Sequence, residues 1–366
     1  MIYLDHGATS FPKPQPVAAA INRALFTCAN PGRGGHKPAM EAAKVVYHCR
    51  SRAAQLFDCQ PEQVVFTSNC THGLNIALQA LIKPGDPVVI SGFEHNAVTR
   101  TLQALQADII VAGRKLFDPE DTLKAFEKAL QKGVKAGVFT HVSNVFGYIL
   151  PVEELSRLCR RYAVSFVIDA AQSAGSLPVQ LQKTGADFIA MPGHKGLLGP
   201  QGTGLLLCAK IPQPLLFGGT GSHSASWDMP NWLPDRLEAG TVNVPGIAGL
   251  EQGIALVSKN MMRWHKTAVQ EAARCAAGLK ELGCQVYAGP HQSGVVSFIP
   301  PADCEIFAQK LADAGICVRA GLHCAPLAHE SAGTLSTGTV RVSFGYDADR
   351  RRSEAFLKAV NSLLKQ

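Results

Sequence analysis

The sequence predicts an α/β domain built on a largely parallel sheet, followed by a smaller α+β domain. From about residue 64, short apolar runs alternate with helical patterns, the signature of strand–helix–strand units. Most of these runs are apolar at consecutive positions rather than at every second one, as strands covered on both faces are. After residue 209 the regularity breaks, and a second set of strands and helices follows.

The strands of the first domain are "VVFTS" (64–68), "PVVISG" (87–92), "DIIVAG" (108–113), "AGVFTHVS" (136–143), "SFVIDAAQ" (165–172), "DFIAMPG" (187–193) and "GTGLLLCA" (202–209). Between them lie helices such as "THGLNIALQALI" (71–82) and "DTLKAFEKALQK" (121–132), the latter with apolar residues at helical spacing. The stretch 210–235 is rich in Pro, Gly and Ser, has no period and reads as a long irregular loop, functional or disordered. A helix follows over 246–266, with Met261, Met262 and Trp264 expected in core or domain-interface packing. The strands "GVVSFIP" (294–300) and "TVRVSFG" (339–345) build the second domain.

At 366 residues the chain is long enough for two to three domains with well-buried cores. Its eleven cysteines are odd in number and show no close pairing in so long a chain, which points to a reduced, cytoplasmic setting rather than a disulfide scaffold. The amino terminus has no charged segment followed by an apolar run, so no signal peptide is expected. No stretch approaches the roughly 18 uninterrupted apolar residues of a membrane span. The net charge of +7 is dispersed. Only 349–360 concentrates it, as the solvated face of a C-terminal helix first and a partner contact second, and a nucleic-acid site would show a denser stripe.

In an open parallel sheet, ligands bind beyond the carboxyl ends of the strands. Five sets of polar residues stand there: Asn69-Cys70-Thr71-His72, Glu94-His95-Asn96, Ser143-Asn144, Asp169 to Gln172, and His194-Lys195. All are expected to converge on one crevice. Their types suit pyridoxal 5'-phosphate, which needs an amine to hold it, a carboxylate against its ring nitrogen and donors for its phosphate. Lys195, between Gly193 and Gly196, is the free-swinging amine, Asp169 the carboxylate, and Thr71 opens a helix whose N–H groups suit an anion. Separately, "RAGLHCAP" (319–326) sets Cys324 among Arg319, Gly321 and His323, a setting for a reactive thiolate. His323, Cys324 and His329 lack the paired spacing of a zinc site, and no metal is expected. From these residues alone the reading is an aldehyde-cofactor crevice with a reactive thiol.

The motifs "IYLDHGATSFPKP", "EHNA", "HVSN", "VIDAAQSAG", "GHKGLLGPQGTG", "LEAGTVN", "RAGLHCAP" and "VRVSFGY" follow one another nearly end to end. In that order they resemble the group II, selenocysteine lyase-like cysteine desulfurases of the class V aminotransferase superfamily. The resemblance implies a type I fold of pyridoxal-phosphate-dependent transferases. Its large domain, 15–245, would carry a mostly parallel seven-stranded sheet. A small α+β domain, 246–366, would carry the cysteine loop, with 1–14 packing nearby.

It further implies that Lys195 anchors the cofactor and moves the substrate's Cα proton, and that Asp169 faces the pyridinium nitrogen. His95 would stack on the ring and help in proton transfer, Gln172 would meet the phenolic oxygen, and Thr71 and His194 would hold the phosphate with Cys70 nearby. Thr241 would reach the phosphate of a neighbouring subunit, making a homodimer. Arg341, with Asn144, would take the substrate carboxylate, Arg319 would line the same pocket, and Cys324 would attack the sulfur of L-cysteine. The products would be alanine and an enzyme persulfide, whose sulfur passes to an acceptor protein or small thiol.

Five positions depart from the family's usual pattern: Pro192 for a serine, His6-Gly7 for Asn-Ala, His72 for an acidic residue and Cys70 for a hydroxyl residue. The alternatives within the fold are a selenocysteine lyase, a cysteine sulfinate desulfinase or a transaminase. Outside enzymology, the alternative is a sulfur-protein partner that keeps the fold without turnover.

Overall fold

The computed structural model describes residues 1–32 and 34–365. Among these, the strands form three sheets. The largest has seven, in the order Val64–Thr67, Gly204–Cys208, Phe188–Pro192, Ser165–Asp169, Ala136–Thr140, Pro87–Ser91 and Asp108–Ala112. Gly204–Cys208 runs antiparallel to both its neighbours, and the other pairings are parallel. The expected mostly parallel seven-stranded sheet is therefore present.

The consecutive apolar residues of the strands serve two cores. Val89, Phe139, Ile168 and Ile189 point to one face of the sheet, and Val88, Val138, Val167 and Ala190 to the other. Both faces are covered, which is why these strands show no polar alternation. The carboxyl ends of six strands consequently lie along one edge, where the chain leaves the sheet and polar side chains can gather.

The smaller, four-stranded antiparallel sheet has the order Arg319–Gly321, Thr339–Ser343, Val295–Ile299 and Gln285–Tyr287. A third core, including Val296, Phe298, Val340, Val342 and Phe356, packs it against helices. The amino terminus joins this part of the molecule: Ile2–Tyr3 pairs in parallel with Ile316–Cys317, and Asp5 bridges to Ser343.

The helix expected over 246–266 extends over Val244–Glu281, 38 residues or about 57 Å. Its first half packs on helices Gln15–Thr27 and Lys37–Phe57 and its second half on Arg350–Leu364. Trp264 meets Tyr346 edge-to-face at 5.7 Å. Met262 is 59% exposed, so the core placement expected for it is corrected: it lies on the outer face of the helix. The stretch 210–235 has no helix or strand, and it exposes Phe217 and Trp227. All eleven cysteines are free thiols.

Candidate active site

Each of the five strand-end sets contributes to one cavity, although His72, Glu94, Asn96 and Ser143 do not line it. A cavity of about 250 Å³ is lined by Asn69, Cys70 and Thr71 from the first set, His95 from the second and Asn144 from the third. Asp169 and Gln172 come from the fourth and His194 and Lys195 from the fifth. Arg319 and Arg341 of the small sheet, and Cys324 in the turn after Arg319–Gly321, close it from the other side. Thr241 is the exception among the candidate residues. It is exposed and lines a separate groove with His72 and Ser68.

Lys195 follows the strand Phe188–Pro192 in a tight turn, where Gly193 N donates to Thr203 O at 2.8 Å and Leu198 N to Lys195 O at 2.9 Å. The flanking glycines answer to packing more than to swing. A Cβ on Gly196 would stand 2.3 Å from the carbonyl oxygen of Ala174. The carbonyl of His194, one peptide before the lysine, accepts from Thr9 Oγ1 (3.0 Å), Ser10 Oγ (3.0 Å), Ser10 N (3.0 Å) and Lys13 Nζ (2.7 Å). Desolvation pushes the Lys195 pKa down, Arg341 adds to the shift, and Asp169 opposes it. An amine so placed is readily available as a neutral nucleophile.

Asp169 ends its strand and is 2% exposed. Its Oδ1 accepts from Ala171 N at 2.8 Å and from the thiol of Cys70 at 3.4 Å. The Cys70 thiol, buried beside this carboxylate, has its pKa raised well above the usual value by desolvation and then by Asp169, so it remains a neutral donor. Its sulfur therefore turns to the carboxylate. The anion-seeking groups at this helix start are the first N–H groups and Thr71, while Asn69 Oδ1 caps His72 N at 2.9 Å.

His95 caps the helix Asn96–Ala104 by accepting from Ala97 N through Nδ1 at 3.0 Å, which leaves the proton on Nε2. Desolvation lowers its pKa, Asp169 opposing, and keeps the ring neutral. Gln172 Nε2 donates to Gly7 O at 2.9 Å. His194 is pushed down to about 4, by burial first and then by Lys195 and Lys13.

Arg341 is 1% exposed in the middle of its strand. Its Nη1 donates to Asn144 O at 3.0 Å and its Nη2 pairs with Asp5 Oδ1 at 2.6 Å, while Nε is buried without a partner. Asn144 donates through Nδ2 to His323 O at 2.7 Å, and its Oδ1 is likewise buried and unpartnered. A Cβ on Gly7 would stand 3.1 Å from Arg341 Cζ, so the glycine at this departure from the family pattern leaves the guanidinium room. Asp5 and Lys13 were missed as site residues. Both stand in the quoted amino-terminal motif, but nothing local shows that they reach partners 336 and 181 residues away.

Cys324 is exposed, and Arg319 Nη2 stands 3.9 Å from its sulfur. His323 does not share that role, which corrects the expectation that it supports a thiolate. Its ring is buried, 3% exposed, and hydrogen-bonded through Nε2 to Thr339 O at 3.1 Å. Burial, reinforced by Arg341 and His329, pushes its pKa down to about 2, so it carries no positive charge. Its ring stacks on His329 at 5.8 Å, and among the described residues no group of His, Cys, Asp or Glu could hold a metal ion.

This fold and this cavity are those of a known class. The Aminotransferase class-V pattern matches residues 2–356, and the chain belongs to that family. Within it, the similarities run to the cysteine desulfurases, as the motifs imply. The chain is 34% identical over 388 residues to a probable cysteine desulfurase of Pyrococcus abyssi, covering 100% of this chain and 94% of that protein. It is 32% identical over 372 residues to a probable cysteine desulfurase of Methanothermobacter thermautotrophicus, covering 94% and 90%. The apo structure of a cysteine desulfurase from Thermococcus onnurineus NA1 matches with a TM-score of 0.92 at 32% identity, covering 100% of this chain and 94% of that one.

Proposed function

We propose that the protein is a pyridoxal-phosphate-dependent cysteine desulfurase, converting L-cysteine to L-alanine and leaving the sulfur as a persulfide on Cys324. The observation that carries this is the meeting, in one cavity, of a desolvated amine, a strand-end carboxylate, a buried guanidinium and an exposed thiol. The residues fit the cofactor. Lys195 would hold it covalently, Asp169 would face the ring nitrogen, His95 would cover the ring and Gln172 would meet the phenolic oxygen through its second N–H. Thr71 and His194 would hold the phosphate, assisted by Thr241 of a second copy. When bound, pyridoxal phosphate supplies an electron sink that eases loss of the Cα proton and of the substrate's sulfur.

The chain supplies the rest. Arg341, whose Nε–H is unspent, and Asn144 orient the substrate carboxylate. Lys195 Nζ takes the proton from the substrate Cα, and the Nε2–H of His95 serves proton transfer on the other side. Cys324 attacks the substrate sulfur: a new S–S bond forms, the C–S bond breaks with its electron pair left on the carbon side, and protonation of the former Cβ and return of a proton to Cα complete alanine.

The wider reading is a homodimer of two-domain subunits, 15–245 and 246–366 with 1–14 alongside, working in the cytoplasm. Eleven free thiols support the compartment. No helix among the described residues is long and apolar enough to cross a membrane. The sulfur acceptor is a protein or small thiol that comes to Cys324.

The deciding experiment is alanine release from L-cysteine by the pyridoxal-phosphate-loaded protein with a thiol reductant, Cys324→Ser beside it. Alanine from the wild type and almost none from the variant supports the reading. Equal alanine release from both would mean that C–S cleavage does not need Cys324 and defeats the persulfide, none from either, with cofactor bound, defeats the cysteine substrate, and a keto acid in place of alanine points to a transaminase. The same assay on L-selenocysteine separates the lyase alternative.

A further inference from the structure

The residue before the reactive cysteine has a post that its chemistry as a base does not explain. His323 and Cys324 are consecutive non-glycine residues with positive φ, 50° and 57°. L-residues adopt this left-handed region singly and at a cost, so a pair of them persists only where the surroundings over-determine it. The surroundings here are three fasteners. Asn144 Nδ2 donates to His323 O at 2.7 Å. The first backbone N–H of the helix after His95, that of Asn96, donates to Cys324 O at 2.8 Å. The third is the His323 ring, driven into the space beneath the loop, where its Nε2–H reaches Thr339 O on the neighbouring strand and its face lies on the fully buried His329. His329 is held in turn by Thr334 Oγ1 at 2.7 Å.

We propose that His323 is a positioning residue: its buried ring pegs the His323–Cys324 pair in the left-handed conformation that presents the cysteine sulfur to the cavity. It acts through the backbone and transfers no proton. Its Nδ1 is buried without a partner and its ring stays uncharged, consistent with a peg and not with an acid or a base. Because Cys324 O is bonded to the helix that His95 caps, the peg also keeps the sulfur in register with the cofactor side of the cavity. The inference rests on the desulfurase reading for its effect on rate, but not for its effect on the loop.

The test compares His323→Gln, which keeps an N–H donor of similar reach, with His323→Leu, which keeps bulk and loses the donor. Hydrogen–deuterium exchange of the Asn96 amide reads the loop directly, and alanine formation reads the sulfur's placement. In His323→Leu, Asn96 exchange should rise about tenfold or more as the loop opens locally. Its kcat should fall about 100-fold, the effect of misplacing a reacting atom by about an ångström. KM and the cofactor's absorbance should stay as in the wild type, because Arg341 and Lys195 are untouched. His323→Gln should recover kcat to within about fivefold, with the pH–rate profile unchanged in shape.

Unchanged Asn96 exchange with kcat within about threefold of wild type in His323→Leu would overturn the proposal. So would equal losses in both variants with an altered pH profile, which would make His323 a titrating group. Should His323→Leu not fold, His323→Gln decides alone, a loss of about 100-fold counting against the peg. A wild type that forms no alanine defeats the desulfurase reading, and the exchange comparison still judges this one.

Discussion

The lysine loop and the cysteine loop face each other across one cavity and solve opposite problems. Lys195 must keep its amine out of water. Its turn is pressed against Ala174 and Thr203, and the four donors on His194 O anchor its backbone. On the proposed function, Cys324 has to meet both a bound substrate and an outside acceptor. Its sulfur is exposed while its carbonyl and that of His323 are fastened to the seven-stranded sheet's side of the cavity. One loop buries the reactive atom on a braced backbone, and the other exposes the reactive atom on a braced backbone. Bracing is common to both, and burial is what assigns the chemistry, because desolvation disfavours the ammonium while exposure leaves the thiol reachable.

The comparison breaks most visibly at the amine. Lys195→Ala should lower alanine formation about ten-thousand-fold, since it removes the group proposed to move the Cα proton. The alkylation rate of Cys324 by iodoacetamide in the cofactor-free protein should be unchanged. A parallel fall in alkylation would mean that the two loops are not independent.

Acid attacks both loops at once. His194 and His329 are held down to about 4 and His323 to about 2, all by burial first. As pH falls below about 6.5 the unfolded chain takes up protons at these histidines while the folded one does not, so stability falls with pH and continues to fall down to about 4. The Tm should drop by about 10 °C between pH 7 and pH 4.5, and by visibly less in His323→Gln if that variant folds, one such group being gone.

Smaller effects sharpen the division of labour. Arg341→Lys should raise KM for L-cysteine about 100-fold with a lesser change in kcat, because a lysine replaces a forked donor with a point charge and leaves Asp5 poorly matched. Lys13→Met should weaken pyridoxal-phosphate affinity about tenfold by removing the one charged donor on His194 O, with the Asn96 exchange of the cysteine loop unaltered. Equal cofactor affinity in wild type and Lys13→Met, by absorbance titration, would release the amino-terminal segment from any part in bracing the lysine.

Much of this was legible from residue order. The strands show in runs such as "VVISG" and "FVIDAA" because a strand buried on both faces must be apolar throughout, and the rule for strand ends then picks out His95, Asp169 and Lys195. The cysteine is conspicuous for its neighbours, but the part played by its histidine is not legible there. Adjacency in sequence suggested a charge partner, whereas the left-handed turn at 323–324 sends the two side chains to opposite environments, one buried and one exposed. Cys70 was expected near the phosphate. Its approach to Asp169 spans 99 residues and depends on how helix Cys70–Leu81 settles on the sheet.

Residue order alone accounts for the two kinds of sheet, the crevice at the strand ends and the choice of amine, carboxylate and thiol as candidates. These follow from local period, hydrophobic runs and side-chain chemistry, which residue order carries directly. Folding alone brings out that Asp5 holds Arg341, that Lys13 braces the lysine loop, that His323 is an uncharged peg and that Thr241 stands apart from the cavity of its own chain. Each of these depends on which distant segments pack together and on how much water that packing removes, and both are properties of the folded whole.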